Sequence, residues 1–184
     1  MTKIYNFKVH NNIESINKSE WNLCNSEGNL FTSYSFLKLL EDSKSLESRT
    51  GWHPNYFSLH SDNKIEACIA AYKKYNSQGE FVFDHSWANV YQKLGLNYYP
   101  KLVVASPFTP ISGARLLVKD KKNEEAKHVL IKNLKNFCIN ENLSSIHVNF
   151  INKNEVNFFL KNNFFIKYGE QFHFTNNNYA TFQD

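Results

Sequence analysis

Residues 81–117 read FVFDHSWANVYQKLGLNYYPKLVVASPFTPISGARLL. The stretch opens apolar, passes through an aromatic segment and returns as a second apolar run at residues 101–105. It then breaks into a loop rich in Pro, Ser and Gly, residues 106–115. Three of the chain's four prolines fall in this stretch, as does one of its two arginines. A loop of that composition after a buried strand is where α/β proteins place ligands.

The first part of the stretch carries two signals. Residues 80–83 read as a strand, and Asp84 stands where a helix cap belongs. Trp87, Val90, Tyr91 and Leu94 then recur at helical spacing, with Gly95 as the stop. Trp87 and Tyr91 fit core packing or the wall of a pocket. Upstream, residues 55–60 and 64–75 predict a hairpin around Ser61-Asp62-Asn63. With residues 80–83 that makes three adjacent antiparallel strands. Residues 3–9 predict a first strand, 15–24 a short helix, and 33–40 a helix capped by Ser33.

Downstream, residues 123–140 are the clearest helix. Asn123 is the cap, Glu124 and Glu125 suit the positive end of the dipole, and Ala126, Val129, Leu130, Leu134, Phe137 and Cys138 form one apolar stripe. Residues 144–151 predict a strand, central and next to residues 102–105. Asn152-x-x-Glu155 reads as a capping box opening a short helix. Residues 164–167 and 170–175 predict two last strands around Gly169. The fold class is α/β (α+β): a mixed, mostly antiparallel sheet flanked by helices, as one domain over residues 1–175 with a tail at 176–184.

Composition narrows the function. Of 184 residues 42% are hydrophobic and 16% aromatic, enough for a packed core. The net charge is +4 and the lysines are scattered, which argues against a nucleic-acid stripe. Only Arg49 and Arg115 are arginine among 21 cationic residues, so a planar fork at either place implies a gripped anion or a pinned loop. The N-terminus has no apolar signal core, and no run is long enough to span a membrane. Three distant cysteines read as reduced thiols of a cytoplasmic protein. Seven histidines without ligand spacing predict no metal.

The element order resembles the GNAT acyltransferase fold. Five phrases are more specific: RTGWHP from Arg49, EFVFDHSWANVY from Glu80, YYPKL from Tyr98, PFTPISGARLL from Pro107 and QFHFTNNNYATF from Gln171. Together they are similar to the FemAB-like peptidoglycan biosynthesis/recognition family of predicted N-acyltransferases. That resemblance implies transfer of an acyl or aminoacyl group to an amine, a cell-wall precursor among the acceptors. The implied donor is acyl-CoA or an aminoacyl-tRNA, the only form in which nucleic acid is expected. Family members carry two tandem GNAT-like halves, and this chain resembles the first. Ser112, Gly113 and Arg115 fall at the cofactor loop, although Pro110 replaces its usual Arg or Gln and removes an amide donor.

Amide formation needs a base, and Asp84 and His85 are the candidates for catalysis, against helix capping for Asp84 and ordinary partial burial for His85. Arg49, Trp52, Trp87 and Tyr91 are the candidates for substrate binding. The alternative is a non-catalytic substrate-binding or interaction module. In that case the chain docks to a second GNAT-like half or to itself, with Tyr179 and Phe182 at the docking edge, and the isolated chain lacks acyltransferase activity.

Overall fold

The computed structural model describes residues 3–181 and 183. Five strands run in the order β1 (Asn6–His10), β2 (Trp52–Ser61), β3 (Lys64–Lys74), β4 (Lys101–Val104) and β6 (Ile146–Val148), while β5 (Leu117–Val118) pairs beyond β4 on β3. All pairs are antiparallel except β4 with β6, which places Leu102 opposite Ile146 and Val103 opposite His147. Residues 102–105 and 146–150 are thus neighbours, but β6 is the edge of the sheet rather than a central strand.

The β2–β3 hairpin turns at Asp62 and Asn63, both in the left-handed region that Asx residues tolerate. Alternation along the strands sorts side chains onto two faces. Phe57, Leu59, Ala67, Ile69, Ala71, Leu102 and Val104 meet α4 (Glu124–Asn140) and α5 (Val156–Lys161) through Ala126, Leu130, Ile131, Leu134 and Phe159. Trp52, Tyr56, Cys68, Tyr72 and Val103 meet α1 (Lys18–Cys24) and α2 (Tyr34–Asp42) through Trp21, Cys24 and Leu37. Burying each large side chain contributes about 1.5–3 kcal/mol before conformational entropy is counted.

The caps follow their local chemistry. Ser33 Oγ accepts from Phe36 N at the start of α2, and Asn123 Oδ1 from Ala126 N at the start of α4. Asn152 and Glu155 form the reciprocal box before α5.

Three expectations fail. Residues 80–83 join no strand, because Phe81 takes φ +55°, which an extended ladder cannot accommodate. The third antiparallel partner of the hairpin is β4 instead. Residues 144–151 shorten to Ile146–Val148, and Phe150 at φ +54° turns the chain away. Residues 164–175 form no strand, and Phe165, Tyr168, Phe172 and Phe174 face solvent. Tyr179 is half-exposed, and Phe182 lies outside the described residues.

Candidate functional site

The sheet face toward α1 and α2 carries charge at its lower end. Lys74 and Lys101 are adjacent partners at the ends of β3 and β4, and both are fully buried. The Lys101 ammonium lies against the Asp84 carboxylate, 3.1 Å from Glu80 Oε2 and 3.0 Å from Ser77 Oγ. Tyr98 donates its hydroxyl to the same Asp84 oxygen at 2.7 Å, and the rings of Tyr98 and Tyr99 stand 5.2 and 5.6 Å from the ammonium. Lys74 Nζ sits 3.8 Å over the Trp52 ring and donates to Gln78 O at 2.9 Å.

This network explains the fate of Asp84. Its side chain makes no cap hydrogen bond at α3 (His85–Lys93), because both neighbours of the carboxylate pull it inward. Burial pushes the Asp84 carboxyl up, but hydrogen bonds from Lys101 and Tyr98 outweigh that and hold it at about 2. Glu80 goes the other way: burial raises its carboxyl, only partly opposed by Lys101, and Oε1 has no hydrogen-bond partner. Two carboxyls on one ammonium thus have separated proton affinities, the arrangement that assigns acid and base roles. Burial and the nearby Lys101 charge press His147 down to about 4, so its imidazole is neutral at pH 7.

Glu80, Asp84 and His147 bring ligand atoms within 4.8 Å of one another, a constellation absent from the spacing of the sequence. The ammonium of Lys101 touches both carboxylates and supplies the positive charge there.

Phe108, at φ +55°, folds the loop after β4 back so that its ring packs 5.4 Å from Trp52. Phe81, Phe108 and Phe150 are bulky residues in left-handed conformation, each costing about 1–3 kcal/mol, and all three flank this charged end or the loop. The loop is tied from inside. Arg115 is buried and donates Nε to Asn149 O at 2.8 Å and Nη2 to Ile111 O at 2.5 Å. Glu155 accepts the backbone N–H of Arg115 and of Leu116, both at 3.0 Å. On the outer side of the loop, Ala114, Leu116 and Val118 border a cleft of about 520 Å³. Lys121, Lys127, His128 and Lys161 stand on its other walls, near the start of α4 and on α5.

The residues singled out by sequence separate into three places. Asp84 and Trp52 lie in the buried charged end, and Tyr91 reaches it through a ring contact of 5.2 Å with Tyr98. Gly113 and Arg115 are buried in the loop with Ser112 exposed beside them. His85 and Trp87 point into solvent from α3, and Arg49 is exposed in an ion pair with Glu47. Sequence reasoning missed Glu80, Lys101, Lys74 and His147. Lys101 opens a buried strand and Glu80 precedes a positive-φ residue; a charged residue inside an apolar run was the available signal.

A family model, FemAB-like, described as peptidoglycan biosynthesis/recognition, matches residues 12–184. Among solved structures, the ribosomal-protein-alanine N-acetyltransferase of Brucella melitensis biovar Abortus 2308 aligns with TM-score 0.55 at 10% identity, covering 94% of this chain and 100% of that one. An aminoglycoside N-acetyltransferase, AAC(6')-Iy, in complex with CoA aligns at 0.53 and 10%, covering 97% of each chain. A possible acetyltransferase of Clostridium difficile 630 aligns at 0.52 and 15%, covering 94% and 99%. These likenesses are of fold: the mixed, mostly antiparallel sheet flanked by helices is that of GNAT acetyltransferases. No curated protein sequence matches.

Proposed function

The chain belongs to the FemAB-like family of peptidoglycan biosynthesis/recognition, and from that premise we propose that it transfers an acyl or aminoacyl group to an amine acceptor. The observation that carries the reading is the family match lying on an acetyltransferase-type sheet whose loop after β4 borders a cleft of about 520 Å³. The donor lies in that cleft, where Lys121, Lys127 and Lys161 offer charge to its phosphates. Ser112, Gly113 and Arg115 belong to the loop that reaches its wall through Ala114. In the reaction the acceptor nitrogen attacks the donor carbonyl, a C–N bond forms, and the bond to the thiol or ribose oxygen breaks. The nitrogen's proton leaves to a base, and the leaving group takes up a proton.

Of the groups named for that base, Asp84 is held ionised and tied to Lys101, and His85 stands apart on α3. Glu80 also lies on Lys101, but burial raises its proton affinity, which suits the role better. Asp84 and Lys101 then position it. The test is calorimetric titration with acetyl-CoA and with an aminoacyl-tRNA, joined to an acylation assay over amine acceptors that include cell-wall precursors. Donor binding with turnover, lost in Glu80→Gln, supports the reading, and the absence of both defeats it.

A second reading has its own support: the chain is a substrate-binding or docking module that works with a second GNAT-like half or another copy. Phe81, Phe83, Trp87, Val90 and Leu94 around α3, and Phe165, Phe172 and Phe174 beyond α5, all expose apolar surface. No helix among the described residues is long and apolar enough to cross a membrane. Under this reading neither donor binds, and light scattering shows association.

A further inference from the structure

At the β1 edge of the sheet, two histidines on neighbouring strands meet one serine. Ser58 Oγ lies 2.8 Å from His10 Nε2 and 2.8 Å from His60 Nε2. Ser58 is fully buried, and both imidazoles are half-exposed. The register of β2 shifts between Leu59 and His60, an irregularity of the kind that re-aims a side chain, and His60 is the residue beside it.

The direction of each hydrogen bond follows from the protons available. Ser15 Oγ lies 2.9 Å from the carbonyl of Asn12, which can only accept, so the hydroxyl proton goes there. Ser15 Oγ therefore accepts from His10 Nδ1 at 3.0 Å. A neutral His10 then carries its proton on Nδ1 and turns the Nε2 lone pair towards Ser58. Ser58 donates to that nitrogen, and its own oxygen accepts from His60 Nε2–H.

One added proton fits this row without breaking a bond. Either His60 takes it on Nδ1 and nothing else moves, or His10 takes it on Nε2. In the second case Ser58 turns its proton to His60 Nε2, and His60 moves its own proton to Nδ1. A second added proton does not fit. Both Nε2 atoms then carry hydrogen, and the buried Ser58 proton has lost the acceptors that either ring offered it. Two imidazolium charges also face each other across one oxygen. The surroundings add to this. Burial, His60 and Lys8 hold His10 below 6.5, and burial and Lys8 hold His60 below it, against Glu20 on α1. The folded chain thus binds these protons less readily than the unfolded one, and the stability they lend above pH 6.5 is lost as pH falls.

We propose that His10, Ser58 and His60 form a one-proton switch that fastens the end of β1 to β2, closed with no proton or one added and open with two. The same row ties in the turn at residues 12–15, through which β1 leads into α1. This goes beyond the acyl-transfer reading and holds whether or not the chain transfers acyl groups.

The test is nitrogen and carbon NMR of the imidazole rings in the full chain, from about pH 8 to about pH 4. At the upper end His10 is expected as the Nδ1–H tautomer and His60 as the Nε2–H tautomer. The two rings should take up their protons in two steps more than about one pH unit apart. Below the lower step, amide exchange over residues 6–15, corrected for its intrinsic rate, should quicken while residues 124–140 stay protected. Ser58→Ala removes the shared hydroxyl and keeps both rings, so the steps should draw together and the acid quickening should be lost. An Nε2–H tautomer of His10 at the upper end, or two steps closer than about one unit in the unaltered chain, overturns the proposal without need of a variant. An undiminished separation in Ser58→Ala overturns it as well.

Discussion

On the sheet face toward α4 and α5, every strand contributes apolar side chains: Phe57, Leu59, Ile69, Leu102 and Val104 close on Leu130, Leu134 and Phe159. On the opposite face the same strands place Lys74, Lys101, Tyr72 and His147 among Trp52, Tyr56 and Val103. One face loses water from apolar surface alone and tolerates volume-conserving change. The other holds two fully buried lysines, a fixed carboxylate at Asp84 and a second carboxyl at Glu80, none of which contributes by burial alone. A protein that needed only stability would gain little from the second arrangement. Its two buried ammonium groups and paired carboxyls are what direct attention there.

Removing Lys101 separates the faces most sharply. Lys101→Ala leaves Glu80 and Asp84 buried without a counter-ion and is expected to cost about 3–5 kcal/mol in denaturant unfolding. Adding Glu80→Gln and Asp84→Asn to it should recover most of that loss. If Lys101→Ala costs no more than a surface change, the charged end is not the constraint described. Leu130→Ala, on the apolar face, is expected to cost about 2–5 kcal/mol through transfer and cavity terms. Its cost should be the same at pH 7 and pH 4, which parallel melts would check.

A smaller effect tests local chemistry away from both faces. Asn123→Ala removes the oxygen that accepts from Ala126 N and should cost about 1 kcal/mol, read as a shift in the urea midpoint. Further effects lie in the acid limb and belong to the polar face. His147 is pressed from 6.5 to about 4 in the folded chain. The unfolded chain therefore binds its proton first, and stability falls as pH drops from 6.5 towards 4. Asp84 is held at about 2 against 3.8, so its contribution is present above 3.8 and is lost as pH falls through that interval. Glu80 is raised above 4.5 and acts in the opposite sense above that value, offsetting part of the first step only. His147→Phe should flatten the first step and leave the second, as followed by melts across pH.

What could be read in the sequence was local. The caps at Ser33 and Asn123, the Asx turn at residues 62–63, the stop at Gly95 and the box at Asn152 and Glu155 each depend on a few neighbouring residues. They fall where their chemistry puts them. Residues 80–83 and 164–175 have strand-like composition, but a strand needs a partner, and neither finds one. The charged end joins Lys101 to residues 17 and 21 positions upstream, a separation that no spacing rule reaches. Asp84 was visible as a polar residue at a helix start, and its inward partner was not.

The helix α3 has no buried residue of its own and rests on the body through Asp84 and the ring of Tyr91 against Tyr98. Its amide hydrogens should therefore exchange through a shallow, sub-global opening, well ahead of those of α4. Breaking the single carboxylate latch with Asp84→Asn should accelerate exchange over residues 85–93 while leaving residues 124–140 protected. In such a molecule a charge pair, and not a core, sets how often one helix lifts from the surface.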